Sequence, residues 1–344
     1  MSTSAVLLVG GYGAVGAHAA RTLRALHPDL SLVIAGRRPE SAETLARTLG
    51  HARAITVDLA RPDLGLDGDL AINAVAMFVK DSRLNGLRTA MNRAVPYLTI
   101  SEYAFDVAPA VTRWAHTAGR IPMMLLGHHL CGLATLTALH YAQEFADVSS
   151  IRIGAIFDEN DLGTATAQAD AALAQRVSPH PLRLQAGRWT WANERDTGST
   201  LQAADGTPHP SHGYSLLDVV SIAAASEARD VTFDVAIRPT AADGQPRHEV
   251  IIEIDGTRVD QADGPRRFAI TDDAHHARLS GQGAALALTH TAGLGNTRAA
   301  PPGLHLPETL LDPAATVAQL HALDVNVRPL PDVDAAGNRG TPAR

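Results

Sequence analysis

Short apolar runs alternate with stretches of helical periodicity along the first 126 residues of the chain. The apolar runs are typical of buried strands, which are predicted to begin at Val6 and to cover residues 30–35, 54–57, 70–75, 97–100 and 121–126. Predicted helices follow the first strand and cover residues 39–49, 82–93 and 107–118. This alternation predicts an α/β fold with a doubly wound parallel sheet.

The pattern changes after residue 132. A helix is predicted from residue 133 to about residue 145, and another over residues 215–225. Further strands are predicted at residues 150–156, 231–237, 248–255 and 267–270. Because helices do not separate most of these strands, we expect a second α+β lobe with a mainly antiparallel sheet over residues 133–272, closing over the ligand of the first lobe. Residues 206–213, with their prolines and histidines, predict a surface loop.

The C-terminal region predicts two more helices and a tail. Helices over about residues 273–292 and 314–322 are expected to pack on the first lobe, so that domain comprises residues 1–132 completed by helices from about 273–325. Residues 329–344 are rich in Pro, Gly, Asp and Asn without periodicity, and we expect them to be disordered.

Glycines separate the first predicted strand from the first predicted helix. A strand, a glycine turn and a helix in this order form the Rossmann-type unit that binds dinucleotides. In such a unit Gly11 makes the tight turn, Gly13 lets backbone approach a pyrophosphate, and Gly16 allows helix and strand to pack closely. The helix N-terminus then presents N–H groups to the phosphates. The candidate cofactor-binding residues of the motif are Gly11, Tyr12, Gly13, Ala14, Val15 and Gly16.

The residues after the second predicted strand indicate which dinucleotide binds. About twenty residues past the last glycine, where an NAD site carries Asp or Glu on the ribose 2′-hydroxyl, the chain has Gly36, Arg37 and Arg38. A carboxylate would repel a 2′-phosphate, whereas a guanidinium can bind one through two hydrogen bonds. The predicted cofactor is therefore NADPH/NADP, with Arg37 the better candidate and Arg38 its neighbour.

Composition and charge exclude several classes of protein. The net charge is −7 without a long basic run, so no electrostatic footprint for nucleic acid is present. Cys131 is the only cysteine, which excludes an intramolecular disulfide and a cysteine-based metal site, and we predict no metal. No apolar run approaches the roughly twenty residues of a membrane helix, and no charged segment precedes the first strand as in a signal peptide. We expect a cytoplasmic enzyme that binds neither nucleic acid nor membrane.

These segments resemble the saccharopine dehydrogenase-like (saccharopine reductase) family of NADP-dependent oxidoreductases. The resemblance rests on VGGYGAVG at residues 9–16, AGRR at 35–38, INA at 72–74, YLTISE at 97–102, LLDVV at 216–220 and PPGLHLPE at 301–308. It implies reduction of an imine or a related double bond with NADPH; some related proteins act on C=C bonds of lipids or isoprenoids. The chain departs from the family at residues 127–132, which read GHHLCG where a Gly-x-x-Pro-Gly turn is common.

Further candidate residues follow the predicted strands. Asn73 and Ala74 are expected to end the fourth strand beneath the pyrophosphate and ribose, and Asp58 to accept a hydrogen bond from the adenine amino group. The resemblance implies that Ser101 and Glu102 form a cofactor-facing turn. The candidate catalytic residues are Lys80, Tyr103, His128 and His129. Imidazole titrates near neutrality, so the histidine pair is the leading candidate for a proton donor.

The predicted function is NADPH-dependent hydride transfer to a C=N (imine) bond of a small metabolite, by a homodimer. Two alternatives stay open at this point. One is a reductase of C=C or C=O bonds in a more apolar substrate. The other is a regulator that binds NADP without turnover.

Overall fold

The computed structural model describes residues 5–100, 107–117, 119–160, 180–193, 198–240, 244, 247–260, 264–272 and 275–331. The chain forms two compact units. Unit 1 comprises Met1–Leu133 and Ala277–Leu311, and unit 2 comprises Ala134–His276 and Asp312–Arg344. No helix in these described parts is long and apolar enough to cross a bilayer.

Unit 1 is built on a parallel sheet of seven strands. The strands are β1 (Ala5–Val9), β2 (Leu32–Gly36), β3 (Ala52–Thr56), β4 (Ile72–Met77), β5 (Tyr97–Thr99), β6 (Pro122–Leu125) and β15 (Gly303–His305). Their spatial order is β15-β6-β5-β4-β1-β2-β3. The predicted doubly wound parallel sheet is therefore confirmed, and β15 adds a seventh strand that the apolar pattern did not reveal.

Helices connect the strands of unit 1. They are α1 (Ala14–Leu26), α2 (Pro39–Leu49), α3 (Asn85–Asn92) and α4 (Ala108–Ala115), followed near the C-terminus by α7 (His276–Ala292), most of which belongs to unit 1, and α8 (Pro307–Leu310). In α1 the buried residues are Gly16, Ala19, Ala20 and Leu23, spaced so that they share one helix face. That stripe is why this segment forms a helix covering the sheet.

Unit 2 is built on a sheet of nine strands. The strands are β7 (Phe145–Asp158), β8 (Leu182–Gln185), β9 (Arg188–Trp191), β10 (Gly198–Gln202), β11 (Pro208–Gly213), β12 (Asp230–Arg238), β13 (His248–Arg258), β14 (Arg266–Asp272) and β16 (Asn326–Pro329). The helices are α5 (Leu133–Ala142), α6 (Leu217–Ser226) and α9 (Pro313–Ala322). Among the strands that the structure describes, only the β7–β12 pair is parallel, so the predicted α+β lobe with a mainly antiparallel sheet is confirmed.

The structure corrects four expectations for unit 2. Residues 208–213 form β11, which pairs with β10 and β12, instead of a surface loop. The predicted helix to about residue 145 ends at Ala142, and β7 begins at Phe145. Helix α9 groups with unit 2, where it packs against β16, and not with the first lobe. Strand β16 pairs with β14 and reaches Pro329, so the predicted disorder does not begin there; residues 332–344 lie outside the described part.

Candidate functional site

The candidate site lies at the carboxyl ends of the parallel strands in unit 1. β1 pairs with β2 on one side and with β4 on the other, and the strand order reverses between them. Ligands of doubly wound sheets bind in the crevice outside this switch point. The segments that follow β1, β2, β4 and β6 are therefore the ones to consider.

The turn after β1 leaves no room for side chains at several positions. Gly10 has a φ of +78°, in the left-handed region that favours glycine. A Cβ at Gly11 would lie 2.8 Å from the Leu8 carbonyl oxygen, and a Cβ at Gly16 would lie 2.5 Å from the Gly10 carbonyl oxygen. Gly11 and Gly16 thus have the steric roles that the motif predicts, whereas the positive φ falls on Gly10, outside the predicted set.

Helix α1 begins at this turn with backbone donors that precede its own hydrogen-bond ladder. Gly13 is its N-cap, and its N–H donates to the Gly10 carbonyl at 2.9 Å. The first helical hydrogen bond runs from Ala17 N–H to the Gly13 carbonyl at 2.9 Å, so the preceding N–H groups lie before the helical ladder. No described side chain caps this end, and Gly13 and Ala14 are exposed. Together with the positive end of the helix dipole, these groups can bind a phosphate.

Strand β4 ends two residues later than predicted, at Met77. Asn73 and Ala74 consequently lie near its amino end, where Ala74 pairs with Val6 of β1. At about 3.3 Å per residue, Ala74 lies roughly 10 Å from the carboxyl end of the strand. The predicted contact of Asn73 and Ala74 with the pyrophosphate and ribose is therefore wrong.

The segment after β4 takes their place at the switch point. Phe78 N–H donates to the Val9 carbonyl at 2.8 Å, and a Cβ at Gly10 would lie 2.6 Å from Cγ1 of Val79. The segments after β1 and after β4 are therefore in contact, and Lys80, partly exposed, follows directly. Its role at the crevice stays a prediction.

Asp81 fixes the backbone next to this lysine. Its buried carboxylate accepts hydrogen bonds from Gly86 N–H at 2.7 Å and from Arg83 N–H at 3.2 Å. These bonds tie the segment after β4 to the start of α3. Asp81 thereby restricts where Lys80 can lie.

The side chain of Tyr12 lies over the end of β2. Gly36 is the last residue of β2, and a Cβ there would lie 2.7 Å from both Cζ and the hydroxyl oxygen of Tyr12. Arg38 N–H donates to that hydroxyl oxygen at 2.9 Å, and the Arg38 guanidinium carbon lies 5.5 Å from the ring centroid. Glycine is thus required at residue 36 because the tyrosine ring occupies the space of a side chain.

Electrostatics at this position favour negative charge. Burial by itself would raise the pKa of Tyr12. Hydrogen bonds from the backbone and side chain of Arg38 and from the backbone of Arg37 outweigh that effect, so the pKa of the phenol lies below its ordinary value. Arg37 and Arg38 both extend exposed side chains from the carboxyl end of β2, where a phosphate would be bound.

Asp58 lies just after β3 in an exposed turn. Its Oδ1 accepts a hydrogen bond from Ala60 N–H at 2.8 Å, the arrangement by which an aspartate stabilises its own turn. This contact accounts for the residue locally. Its contact with an adenine stays a prediction.

The turn after β6 contains three consecutive residues with positive φ. Leu130 and Cys131 have φ values of +52° and +53°, and Gly132 has +95°. Such a conformation costs non-glycine residues about 1–3 kcal/mol each. Close packing on two sides holds this turn in place. The Leu130 carbonyl lies so close to Gly283 of α7 that a Cβ at residue 283 would collide with it. Gly132 lies equally close to Pro307, because a Cβ at residue 132 would be 2.5 Å from Cγ of that proline. Backbone strain of this kind is often found at functional sites.

His128 and His129 stand at the start of this strained turn and are 6% and 7% exposed. Burial lowers the pKa of His128 to about 3, because the interior disfavours the charged imidazolium. The expectation that His128 titrates near neutrality is therefore wrong. At neutral pH its uncharged ring can donate one hydrogen bond and accept another, but it lacks the acidic second proton of an imidazolium.

Three candidate residues, Ser101, Glu102 and Tyr103, lie outside the described residues. Strand β5 before them ends at Thr99, which pairs with Met77 of β4 and Leu125 of β6. The described chain therefore reaches residue 100 at the same edge of the sheet as the other candidate segments. Their predicted roles stay predictions.

Several residues that shape the site were missed from the sequence, although local signals mark them. The apolar run of β4 continues past the predicted strand end at residue 75 to Val79, which indicates a longer strand without fixing where it ends. Gly281 and Gly283 lie inside α7, where glycine costs about 1 kcal/mol relative to alanine. Both are explained by close contacts, since a Cβ at Gly281 would lie 2.5 Å from Cβ of His18 on α1. Glycines within a helix pattern were the available signal for this packing.

The fold is similar to that of solved dehydrogenase structures. Apo saccharopine dehydrogenase (L-Glu forming) from Saccharomyces cerevisiae matches with 13% sequence identity and a TM-score of 0.62, over 95% of this chain and 100% of that one. Scyllo-inositol dehydrogenase from Lactobacillus casei, with bound NAD(H) and scyllo-inositol, matches with 14% identity and a TM-score of 0.50, over 95% and 99%. No protein-family model matches the sequence, and no curated protein does. At these identities the likeness establishes the fold alone.

Proposed function

We propose that the protein is an NADPH-dependent oxidoreductase that transfers a hydride to the C=N bond of a small metabolite. The observation that carries the proposal is the combination of two features at the switch point. One is the crowded glycine turn with uncapped backbone donors at the N-terminus of α1, and the other is the pair of exposed arginines at the end of β2. The first suits a pyrophosphate and the second a 2′-phosphate.

The residues present fit such a cofactor. Backbone N–H groups of residues 14–16 would hold the pyrophosphate, and the guanidinium groups of Arg37 and Arg38 would hold the 2′-phosphate. When bound, the nicotinamide supplies the hydride. Lys80 and the strained turn at His128 would border the substrate, because both follow the carboxyl ends of strands in the same sheet.

The neutral state of His128 favours an imine over a carbonyl. An imine protonated in solution carries its own proton and positive charge, so hydride addition to its carbon completes the amine. A carbonyl requires a proton at oxygen in the same reaction, which a neutral imidazole supplies poorly. In the proposed reaction, His128 orients the substrate through a hydrogen bond while its burial excludes water.

A more apolar substrate with a C=C or C=O bond is less well supported. That alternative calls for a deep apolar cleft around Trp189, Trp191 and Phe157. In unit 2 the two indoles are instead 50% and 56% exposed on β9. The Phe157 ring packs against His248 and His276, with centroid distances of 4.8 and 5.4 Å.

The first test is a titration of the purified protein with NADPH and NADH, followed by nicotinamide fluorescence. We expect clear preference for NADPH, and then turnover of cyclic imines. NADPH binding without turnover of any imine, enone or carbonyl would instead identify a non-catalytic regulator.

The proposal also includes a homodimer in the cytoplasm, and sedimentation of the purified protein tests the dimer.

Arg37→Asp should weaken NADPH binding about 10- to 100-fold, the value of one lost charge-assisted interaction, while leaving NADH binding nearly unchanged. The substitution replaces an attraction for the 2′-phosphate with a repulsion. The matched control is Arg47→Asp, an exposed charge reversal in the last turn of α2. Equal losses for NADPH and NADH in Arg37→Asp would show that this arginine does not recognise the 2′-phosphate.

A further inference from the structure

Hydrogen-bond donors converge on a single oxygen atom at the end of β2, the hydroxyl oxygen of Tyr12. Arg38 N–H donates to it at 2.9 Å, and the backbone of Arg37 and the side chain of Arg38 also interact with it. A group of backbone N–H donors reinforced by a guanidinium is a typical binding site for an oxyanion. A neutral phenol makes limited use of such donors.

The surroundings of the ring allow it to leave this position. The ring rests on Gly36, which presents no side chain, and it borders a cleft of about 450 Å³ between α1 and α2. Small or flexible side chains line that cleft beside the tyrosine, among them Ala17, Ser41 and Thr44. Rotation of the Tyr12 side chain would therefore free the donors without moving the backbone.

We propose that the Tyr12 hydroxyl occupies, in the ligand-free protein, the position that an oxygen of the NADPH 2′-phosphate takes when the cofactor binds. This inference rests on the proposed function, since it assumes an NADP-type cofactor. Tyr12 is then a specificity-determining residue. NADH has no phosphate to replace the hydroxyl, so it leaves the tyrosine in place and gains nothing from the donors.

The exchange of acceptors favours the phosphate. Hydrogen bonds to an ionised acceptor are roughly twice as strong as those between neutral groups. The lowered pKa of Tyr12 agrees with a position that already favours negative charge on oxygen. Because the phenol must first be displaced, the wild-type protein binds NADPH less tightly than it would without the hydroxyl.

Tyr12→Phe tests the proposal, since it removes the competing hydroxyl and keeps the ring on Gly36. We expect the variant to bind NADPH and 2′,5′-ADP about three- to tenfold more tightly than the wild type, the worth of one neutral hydrogen bond. Binding of NADH and 5′-AMP should be unchanged. The matched control is Tyr141→Phe in unit 2, whose ring stacks on Phe268 and which should alter none of these affinities.

Alkaline titration of tyrosine absorbance gives a second readout. In the wild type, 2′,5′-ADP should raise the pH at which the earliest tyrosinate forms, because Tyr12 loses its donors and gains a phosphate neighbour. Tyr12→Phe should remove this early step, whereas Tyr141→Phe should retain it.

Each remaining outcome counts against the proposal. Unchanged or weaker binding of 2′,5′-ADP by Tyr12→Phe, with NADPH still bound by the wild type, overturns this inference and leaves the proposed function standing. Weaker binding would show that the hydroxyl contacts the phosphate instead of yielding to it. If neither protein binds NADPH or 2′,5′-ADP, the proposed function and this inference both fail.

Discussion

Gly16→Ala should weaken NADPH binding by about 100-fold, equivalent to losing about one strong charge-assisted hydrogen bond to phosphate. The added Cβ would lie 2.5 Å from the Gly10 carbonyl oxygen and 2.8 Å from Cα of Gly11. Both are backbone atoms, so neither can rotate away and α1 must move off the turn. The donors at its N-terminus then no longer point at the pyrophosphate position.

The same substitution should lower the free energy of unfolding by about 2–3 kcal/mol, as overpacking of a tight contact does. Fluorescence titration and urea denaturation measure the two effects. Gly68→Ala is the matched control, because no heavy atom lies within 4 Å of the new Cβ and both quantities should stay at the wild-type values. Wild-type NADPH affinity in Gly16→Ala would refute the assignment of this turn to the pyrophosphate.

Acidification should destabilise the protein through His128. The pKa of this imidazole is 6.5 in the unfolded chain and about 3 in the folded protein, so the unfolded chain binds the proton more tightly. The stability associated with the neutral ring is therefore complete above pH 6.5 and falls as the pH decreases from 6.5 towards 3. The full difference corresponds to about 5 kcal/mol.

Urea denaturation at a series of pH values from about 7 to about 4 measures this loss through the linkage of protonation to unfolding. His128→Gln should have a distinctly flatter dependence than the wild type. Some slope should remain, because burial also lowers the pKa values of His27 and His290. The exposed His116→Gln is the control and should follow the wild-type curve. Parallel curves for His128→Gln and the wild type would mean that His128 is not buried in its neutral form.

The glycine turn could be predicted because its interactions are local. Gly11 contacts Leu8, and Gly16 contacts Gly10, so each steric requirement involves residues at most six positions apart. A short stretch of sequence contains both partners of these two contacts, whereas Gly10 of the same turn contacts Val79 after β4. The same reasoning applies to the arginines, which simply follow the end of β2.

The end of β4 and the existence of β11 could not be derived in this way. The strand ends where Met77 pairs with Val9 of β1, a partner far away in sequence. In β11 the prolines and the glycine have low strand propensity, but Ser211 pairs with Ala236 of β12 and is buried. Pairing with neighbouring strands overrides the local preference in both cases.

The amino-acid sequence by itself determined the alternation of strands and helices, the doubly wound class of unit 1 and the place of the dinucleotide motif at its first turn. Only the tertiary structure decided that Tyr12 occupies the space above Gly36, that Gly283 supports the strained turn after β6, and that His128 is neutral. The physical reason is that periodicity and turn sterics depend on near neighbours. Desolvation and close packing depend on residues that the fold brings together from distant parts of the chain.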